Sequence, residues 1–153
     1  MAKVLIAYFS STGTTEKMAQ YIAEGVRIAG HEAEARKVSE FKSESDVEGY
    51  DGYVFGCPMY HLDMPGSFKT FLSLLRKADL QGKAGGAFSS RTHPSSEQRS
   101  AAAAILLIME GEFKMKITDL GPFDLESKVM DTVESMRACQ DYGKSVGAML
   151  GTL

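Results

Sequence analysis

Three short stretches of this sequence concentrate side chains that bind ligands or transfer protons. The first, SSTGTT at residues 10–15, contains five hydroxyls, one glycine and no charge. Hydroxyls and backbone N–H groups at the beginning of a helix attract anions, and the helix dipole adds to that attraction. We interpret this stretch as a phosphate site made of Ser10, Ser11, Thr12, Gly13, Thr14 and Thr15. The alternative is an ordinary N-cap at Thr12 or Thr14, which needs only one hydroxyl.

Other phosphate-binding motifs do not match the first stretch. A Walker loop requires a leading glycine and a Gly-Lys pair, and both are missing here. The dinucleotide motif G-x-G-x-x-G is absent as well. A cysteine phosphatase would need an arginine six residues after Cys57, where this sequence has Asp63. We therefore expect a phosphate monoester, bound without a metal ion.

The second stretch, GCPMYHLDMPG at residues 56–66, could border a flat ring. Pro58 and Pro65 stiffen its two ends. Between them, a thioether, an aromatic ring and an imidazole are supplied by Met59, Tyr60 and His61. An ordinary surface loop is the alternative interpretation.

The third stretch, SSRTHPSSEQ at residues 89–98, is rich in hydrogen-bond donors. Ser95 and Gln98 have the spacing of a capping box, so their role could be purely structural. The remaining donors are Ser89, Ser90, Arg91, Thr92 and His93. A polar surface loop is again the alternative.

The apolar pattern places all three stretches after strands of a parallel sheet. Residues 3–9, 50–57 and 83–90 are typical of strands buried on both faces, whereas residues 31–38 and 113–117 alternate like edge strands. Helical periodicity predicts helices over residues 16–29, 64–77, 96–109 and 126–150. The sequence therefore predicts one α/β domain over residues 1–153: three layers around a doubly wound, five-stranded parallel sheet of order 2-1-3-4-5. Ligands of such sheets bind beyond the carboxyl ends of the strands.

Composition excludes several classes of protein. The 153 residues are 44% hydrophobic and 24% charged, which is ordinary for a soluble globular domain. A net charge of −3 argues against nucleic acid as the main partner. No apolar run is long enough to span a membrane and no leader is recognisable, so we expect a cytoplasmic protein. Cys57 and Cys139 show no metal-ligand spacing and are expected to be free, buried thiols.

The three loops together resemble those of the flavodoxin-like family, and the similarity covers nearly the whole chain. SSTGTTEKMA is similar to the family's phosphate loop, which implies that residues 10–15 bind the phosphate of FMN. The resemblance also implies that the isoalloxazine ring lies between residues 58–61 and residues 89–93.

Two branches of the family match different features of the chain. Classical flavodoxins are strongly acidic electron carriers that usually cover the ring with a tryptophan and a tyrosine, and this chain has no tryptophan. The loops at residues 56–66 and 89–98 look more like those of the flavodoxin-like NAD(P)H:quinone oxidoreductases, although Met59 replaces their usual threonine. We expect an FMN-binding redox protein that carries electrons between redox partners. The alternatives are an FMN-dependent NAD(P)H:quinone oxidoreductase and a binding module without cofactor.

Charged and titratable side chains of the loops suggest how the redox chemistry could be tuned. Arg91, His93 and His61 could stabilise negative charge on the reduced flavin, which would favour two-electron chemistry. His61 or His93 could also give a proton to a quinone, although a loop histidine is more often simply solvated. The apolar helix at residues 101–109 is expected to be buried between the sheet and its neighbours, or to join copies of the chain, so a monomer and a homo-oligomer both stay open.

Overall fold

The computed structural model of the protein describes residues 2–10, 13–59, 64–92 and 100–151. Within these ranges, parallel strands form one sheet: β1 (Lys3–Tyr8), β2 (Glu32–Lys37), β3 (Gly52–Pro58), β4 (Ala84–Arg91) and β5 (Lys116–Glu126). The helices are α1 (Thr14–Ile28), α2 (Gly66–Leu75), α3 (Ala101–Gly111) and α4 (Val133–Leu150). The strand order is β2-β1-β3-β4-β5, which confirms the predicted fold and topology.

Apolar side chains cover both faces of the sheet. Strand residues alternate between the faces, so Val4 and Ile6 contact the cluster under α1 and α4, whereas Leu5 and Phe55 contact the cluster under α2 and α3. β1, β3 and β4 are buried almost throughout, and β2 and β5 are partly exposed edges, as the apolar pattern predicted. Across the described ranges, no helix is long and apolar enough to cross a bilayer.

The two cysteines lie on opposite faces of the sheet. Cys57 packs in the cluster under α2 and α3, and Cys139 packs in the cluster under α1 and α4. Both are buried and neither is in a disulfide. Burial raises the pKa of the Cys139 thiol to about 12, so this group is a small apolar side chain at physiological pH.

The end of β5 and the beginning of α4 differ from the prediction. β5 continues to Glu126, so both the short strand at residues 113–117 and the helix start at residue 126 are wrong. α4 begins at Val133, because Thr132 is extended and its hydroxyl accepts a hydrogen bond from the Ser135 N–H at 3.2 Å. Val129 lies four residues before Val133, which is about one helical turn. The apolar pattern of the helix therefore continues before its true start, and this led to the wrong prediction.

α3 also begins later than residue 96. Ser100 has an extended backbone, and its hydroxyl accepts a hydrogen bond from the Ala103 N–H at 3.0 Å, so it is the N-cap of this helix. The proposed cap at Ser95 and Gln98 lies outside the described residues.

Only one side of α3 is buried, so the expectation of burial all around is wrong. Leu107 has 72% of its surface exposed. The buried stripe that faces the sheet and its neighbours consists of Ala101, Ala102, Ile105 and Met109.

A tyrosine of α4 fills a gap between β4 and β5. The pairing register of these strands shifts between Gly85 and Ala87, where β5 bulges. Tyr142 Oη accepts a hydrogen bond from the Ala87 N–H at 3.0 Å and donates one to the Gly121 carbonyl at 2.6 Å. Gly86 makes this approach possible, because a Cβ there would lie 2.8 Å from Tyr142 Oη. The phenol therefore replaces backbone pairing that the bulge removes.

Replacing Tyr142 with phenylalanine tests this role. We expect Tyr142→Phe to lower the free energy of unfolding by about 1–3 kcal/mol, because it leaves two backbone groups without their partner in a buried place. Urea unfolding measures the change. Tyr21→Phe, on the half-exposed side of α1, is the matched control and should change stability by less than about 0.5 kcal/mol. Equal effects of the two substitutions would contradict the role.

Tyr142→Phe should also alter the dependence of stability on pH. Burial raises the pKa of Tyr142, so the unfolded chain ionises this phenol above about pH 10 while the folded state keeps it neutral. Its contribution to stability is complete below that pH and is lost as the pH rises toward the folded-state pKa. The difference in unfolding free energy between wild type and Tyr142→Phe should be constant from about pH 7 to pH 9 and shrink above about pH 10. Profiles that stay parallel above that pH would contradict this expectation.

Candidate functional site

The carboxyl ends of three strands meet at one edge of the sheet. β1, β3 and β4 end at Tyr8, Pro58 and Arg91, and the three predicted loops follow these residues. Pro58 is paired with Ser90 in the β3–β4 ladder, and the Met59 N–H donates to the Ser90 carbonyl at 2.8 Å. The predicted stretches are therefore neighbours at the edge where open α/β sheets bind ligands.

At this edge, α1 begins without a side-chain cap from any residue that the structure describes. Its N-cap is Gly13, which has a φ of 93°, and Thr14 is the first helical residue. The alternative in which Thr14 caps the helix is therefore wrong. The Gly13 N–H donates to Ser10 Oγ at 3.1 Å, which holds a serine hydroxyl beside the helix end. The first N–H groups of a helix have no partner within the helix, so this uncapped end is suited to an anion.

The one acidic side chain in the first turn of α1 is directed to a tyrosine. Tyr8 Oη donates a hydrogen bond to Glu16 Oε1 at 3.0 Å. Burial, and then this hydrogen bond, raise the pKa of Tyr8 to about 12. The neutral phenol therefore holds the carboxylate in place throughout the physiological range of pH.

A buried pair of hydroxyls joins the beginning of α1 to the end of β4. Thr15 Oγ1 and Ser90 Oγ lie 2.9 Å apart, and both residues are almost fully buried. One hydroxyl donates to the other, so the accepting hydroxyl keeps its own hydrogen for a further acceptor. These two predicted site residues therefore position the loop at residues 10–15 relative to the sheet.

A second polar cluster fixes the other side of the β4 end. Ser89 Oγ donates to Asp124 Oδ1 at 2.7 Å and accepts a hydrogen bond from the Ala102 N–H at 3.2 Å. Arg91 Nε lies 3.2 Å from Asp124 Oδ2, close enough for an ion pair but outside hydrogen-bonding geometry. Among the described residues, the buried Nε and Nη1 atoms of Arg91 have no hydrogen-bond acceptor. They are donors suited to a bound ligand.

The other predicted site residues are distributed unevenly. Pro58 is buried, Thr92 is exposed, and Met59 is only 5% exposed because its side chain packs under α2 and α3. Ser11, Thr12, Tyr60, His61 and His93 lie outside the described residues.

The described residues contain no group of three or more histidine, cysteine, aspartate or glutamate side chains that could hold a metal ion.

Asp124 is a site residue that the sequence did not reveal. It lies in the second half of β5, between the apolar residues Phe123 and Leu125. This alternation is a strand pattern, but Gly121 and Pro122 precede it and look like a turn. Recognising the strand would have placed Asp124 near the carboxyl end of β5, beside β4.

A family model described as the flavodoxin domain matches residues 5–123. The chain belongs to the flavodoxin family. Members of this family bind FMN and take part in redox reactions, and this flavodoxin-like chain is such an FMN-binding redox protein. The sheet order and the three loops at its carboxyl edge agree with that membership.

Relatives of this flavodoxin-like chain carry two kinds of name. It is 31% identical to an NAD(P)H dehydrogenase (quinone) of Acidovorax ebreus, over 94% of this chain and 81% of the relative. A protein of the same name from Sinorhizobium fredii is 30% identical, over 71% of this chain and 66% of the relative. The crystal structure of oxidised Flavodoxin 1 from Bacillus cereus superposes with a TM-score of 0.79 and 25% identity, covering 95% of this chain and 97% of that one.

Replacing Asp124 tests the cluster at the end of β4. The side chains of Arg91 and Asp124 are only 19% and 17% exposed. Asp124→Asn should therefore lower the free energy of unfolding by about 1–3 kcal/mol, because it leaves a mostly buried guanidinium without its counter-ion. Asp131→Asn is the matched control, since Asp131 pairs with Lys17 at 2.7 Å on the exposed surface, and it should cost about 0–1 kcal/mol. Urea unfolding measures both free energies. If Asp124→Asn lowers the free energy of unfolding no more than the control does, Arg91 and Asp124 are not a stabilising pair.

Proposed function

We propose that the chain carries electrons between redox partners by means of an FMN held at the carboxyl edge of its sheet. The observation that carries the proposal is the N-terminus of α1 at Gly13, which has the Ser10 hydroxyl beside it and Thr14 as its first helical residue. A phosphate monoester at residues 10–15 would receive N–H donors, hydroxyl donors and the positive end of the helix dipole. Ser11 and Thr12 would complete this set, an assignment that rests on the sequence pattern.

The end of β4 offers groups for the flavin ring. When bound, the isoalloxazine ring supplies the redox chemistry by accepting and releasing electrons. The buried Nε and Nη1 donors of Arg91 would bind acceptor atoms at the edge of the ring, and Asp124 would hold the guanidinium in position. Pro58 and Met59 would border the ring through their backbone. Ser90 and Thr92 would contribute hydroxyls, and Tyr60, His61 and His93 are assigned from the sequence pattern alone.

The charge balance at Arg91 favours the electron carrier over two-electron chemistry. Asp124 lies beside the guanidinium, so this pair contributes little net positive charge to a bound ring. Ser89 gives its hydrogen to the same carboxylate and accepts from α3, so it has a structural role. Stabilisation of an anionic reduced flavin would therefore depend on His61 and His93.

A quinone reductase is the second candidate function. The relative from Acidovorax ebreus that is called an NAD(P)H dehydrogenase (quinone) matches 94% of this chain, which favours this candidate. Addition of NADPH and then a quinone to the FMN-loaded protein separates the two functions, because only a reductase would turn over NADPH without a partner protein. His61 and His93 would then be the candidates for proton donation.

Location and assembly follow as subordinate proposals. We propose a cytoplasmic protein, because buried cysteines that are not in a disulfide, such as Cys57 and Cys139, fit a reducing compartment. The exposed Leu107 on α3 is the feature that would favour a homo-oligomer over a monomer.

Comparing FMN with riboflavin tests the phosphate site. Riboflavin lacks the phosphate, so we expect the apoprotein to bind FMN at least about a hundredfold more tightly, as one or two charge-assisted hydrogen bonds imply. Thr14→Val should weaken FMN binding about tenfold and leave riboflavin binding unchanged. Flavin fluorescence quenching measures both affinities. Thr70→Val, on the exposed side of α2, is the control and should change neither. The proposed phosphate site would be overturned if the apoprotein bound the two flavins with equal affinity. It would also be overturned if Thr14→Val weakened FMN binding and riboflavin binding by the same factor.

A further inference from the structure

A cavity of about 860 Å³ opens between α2 and the segment that follows β2. Residues 8–10 form its end, residues 37–42 form one wall, and the side of α2 and the residues after it form the other. We call it the basic groove. Its volume lies within the range of about 300–1,000 Å³ that is usual for sites of small molecules.

The basic groove shares Ser10 with the proposed FMN phosphate site but otherwise lies on the other face of the sheet. Its aromatic residues Phe41 and Phe71 belong to the apolar cluster under α2 and α3. α1, whose N-terminus is the proposed phosphate site, packs over the opposite face of the sheet. The two sites therefore approach each other only at the end of β1, near Ser10.

The charged side chains of the groove all have the same sign. Among the described lining residues, the charged ones are Lys37, Lys42 and Lys77, although the whole chain carries a net charge of −3. Within the described part of the chain, no carboxylate lies within 4 Å of any of these three amines. Two carboxylates bind the backbone beside these lysines: Glu40 accepts from the Lys37 N–H at 2.9 Å and Asp46 from the Lys42 N–H at 2.8 Å. The three side-chain amines of the groove are therefore without an ion-pair partner among the described residues.

The floor of the groove is apolar: Phe9 and Leu74 are half-buried, and Phe41 and Phe71 add narrow edges that are 7% and 3% exposed. The Phe41 and Phe71 rings lie 5.4 Å apart between centroids and are tilted by 44°, and Phe9 continues the apolar surface toward β1. The Arg36 guanidinium covers one face of Phe41 at 4.6 Å from the ring centroid, which fixes the orientation of that ring. Aromatic side chains in such an arrangement suit a planar ring, packed edge to face or with an offset.

We propose that the basic groove binds a small planar aromatic molecule that carries two or more negative charges. Its ring would lie on the apolar floor, against Phe9, Leu74 and the exposed edges of Phe41 and Phe71. Its phosphate or carboxylate groups would face Lys37, Lys42 and Lys77. Serine hydroxyls on both walls, among them Ser39 and Ser73, would accept or donate further hydrogen bonds. A concave site of this volume suits a small molecule, because a stable protein partner needs about 800 Å² on each side.

Calorimetric titration of the FMN-loaded protein tests the proposal. Two probes are aromatic anions: ADP, which carries phosphate groups, and benzene-1,3,5-tricarboxylate, which carries carboxylate groups. The two control probes are adenosine, which has the ring without the negative charge, and pyrophosphate, which has the charge without the ring. We expect at least one aromatic anion to bind with one site per chain and an affinity that falls as salt is added. Adenosine and pyrophosphate should bind at least tenfold more weakly.

Two sets of substitutions locate the binding. The triple variant Lys37→Gln, Lys42→Gln, Lys77→Gln should weaken binding of the aromatic anion at least tenfold. Ser73→Glu alone, which adds a negative charge to the groove, should weaken this binding severalfold. The matched control combines Lys83→Gln, Lys114→Gln and Lys116→Gln, which removes the same charge near the amino ends of β4 and β5. All variants should keep the flavin absorption spectrum of the wild type.

Four results would overturn the proposal. The first is an equal loss of affinity in the two triple variants, and the second is binding that occurs only after FMN has been removed. The third is that neither aromatic anion shows saturable binding. The last is that a hexaglutamate peptide binds while neither aromatic anion does. The second result would place the anion in the cofactor site, and the last would make the groove a docking surface for an acidic partner.

Discussion

Hydrogen bonds at the end of β4 determine how the helices meet the functional edge of this protein. Consecutive strand residues point to opposite faces, so Ser89 and Ser90 are directed to different layers. Ser89 binds the first turn of α3 through the Ala102 N–H, and Ser90 binds the first turn of α1 through Thr15 Oγ1. Two adjacent hydroxyls thus join both helical layers to one strand. The position of the loop at residues 10–15 depends on this buried contact.

The same contacts decide which groups are left for a ligand. Asp124 accepts the Ser89 hydrogen and lies beside Arg91, so a strand at the edge of the sheet supplies the counter-charge for the central β4. Asp124 Oδ2 lies 3.2 Å from Arg91 Nε but outside hydrogen-bonding geometry, so the buried Nε and Nη1 atoms remain without an acceptor in the described part of the chain. Buried donors in proteins are normally satisfied. Their position at the carboxyl edge of the sheet supports the proposal that they bind the flavin ring.

The fold could be read from the sequence because burial differs strongly between strands. Continuous apolar runs marked β1, β3 and β4 as central, and alternation marked β2 and β5 as edges, which agrees with the known doubly wound order 2-1-3-4-5. The second half of β5 could not be read, since Gly121 and Pro122 resemble a turn and Val129 continued the helical period of α4 backwards. The contact of Thr15 with Ser90 joins residues 75 positions apart. Local patterns contain no information about such a pair, whereas the loops themselves were predictable because each directly follows a buried strand.

The basic groove shows why the total charge of a protein is a poor guide to its ligands. A net charge of −3 is a sound reason to doubt binding to long polyanions, which needs an extended basic face. A small anion responds only to the potential of the few groups around it. Lys37 ends β2, Lys42 follows that strand and Lys77 follows α2, so the three lysines share one cavity only because α2 packs beside the segment after β2. The acidic residues that make the total negative form no ion pair with these three amines in the described part of the chain.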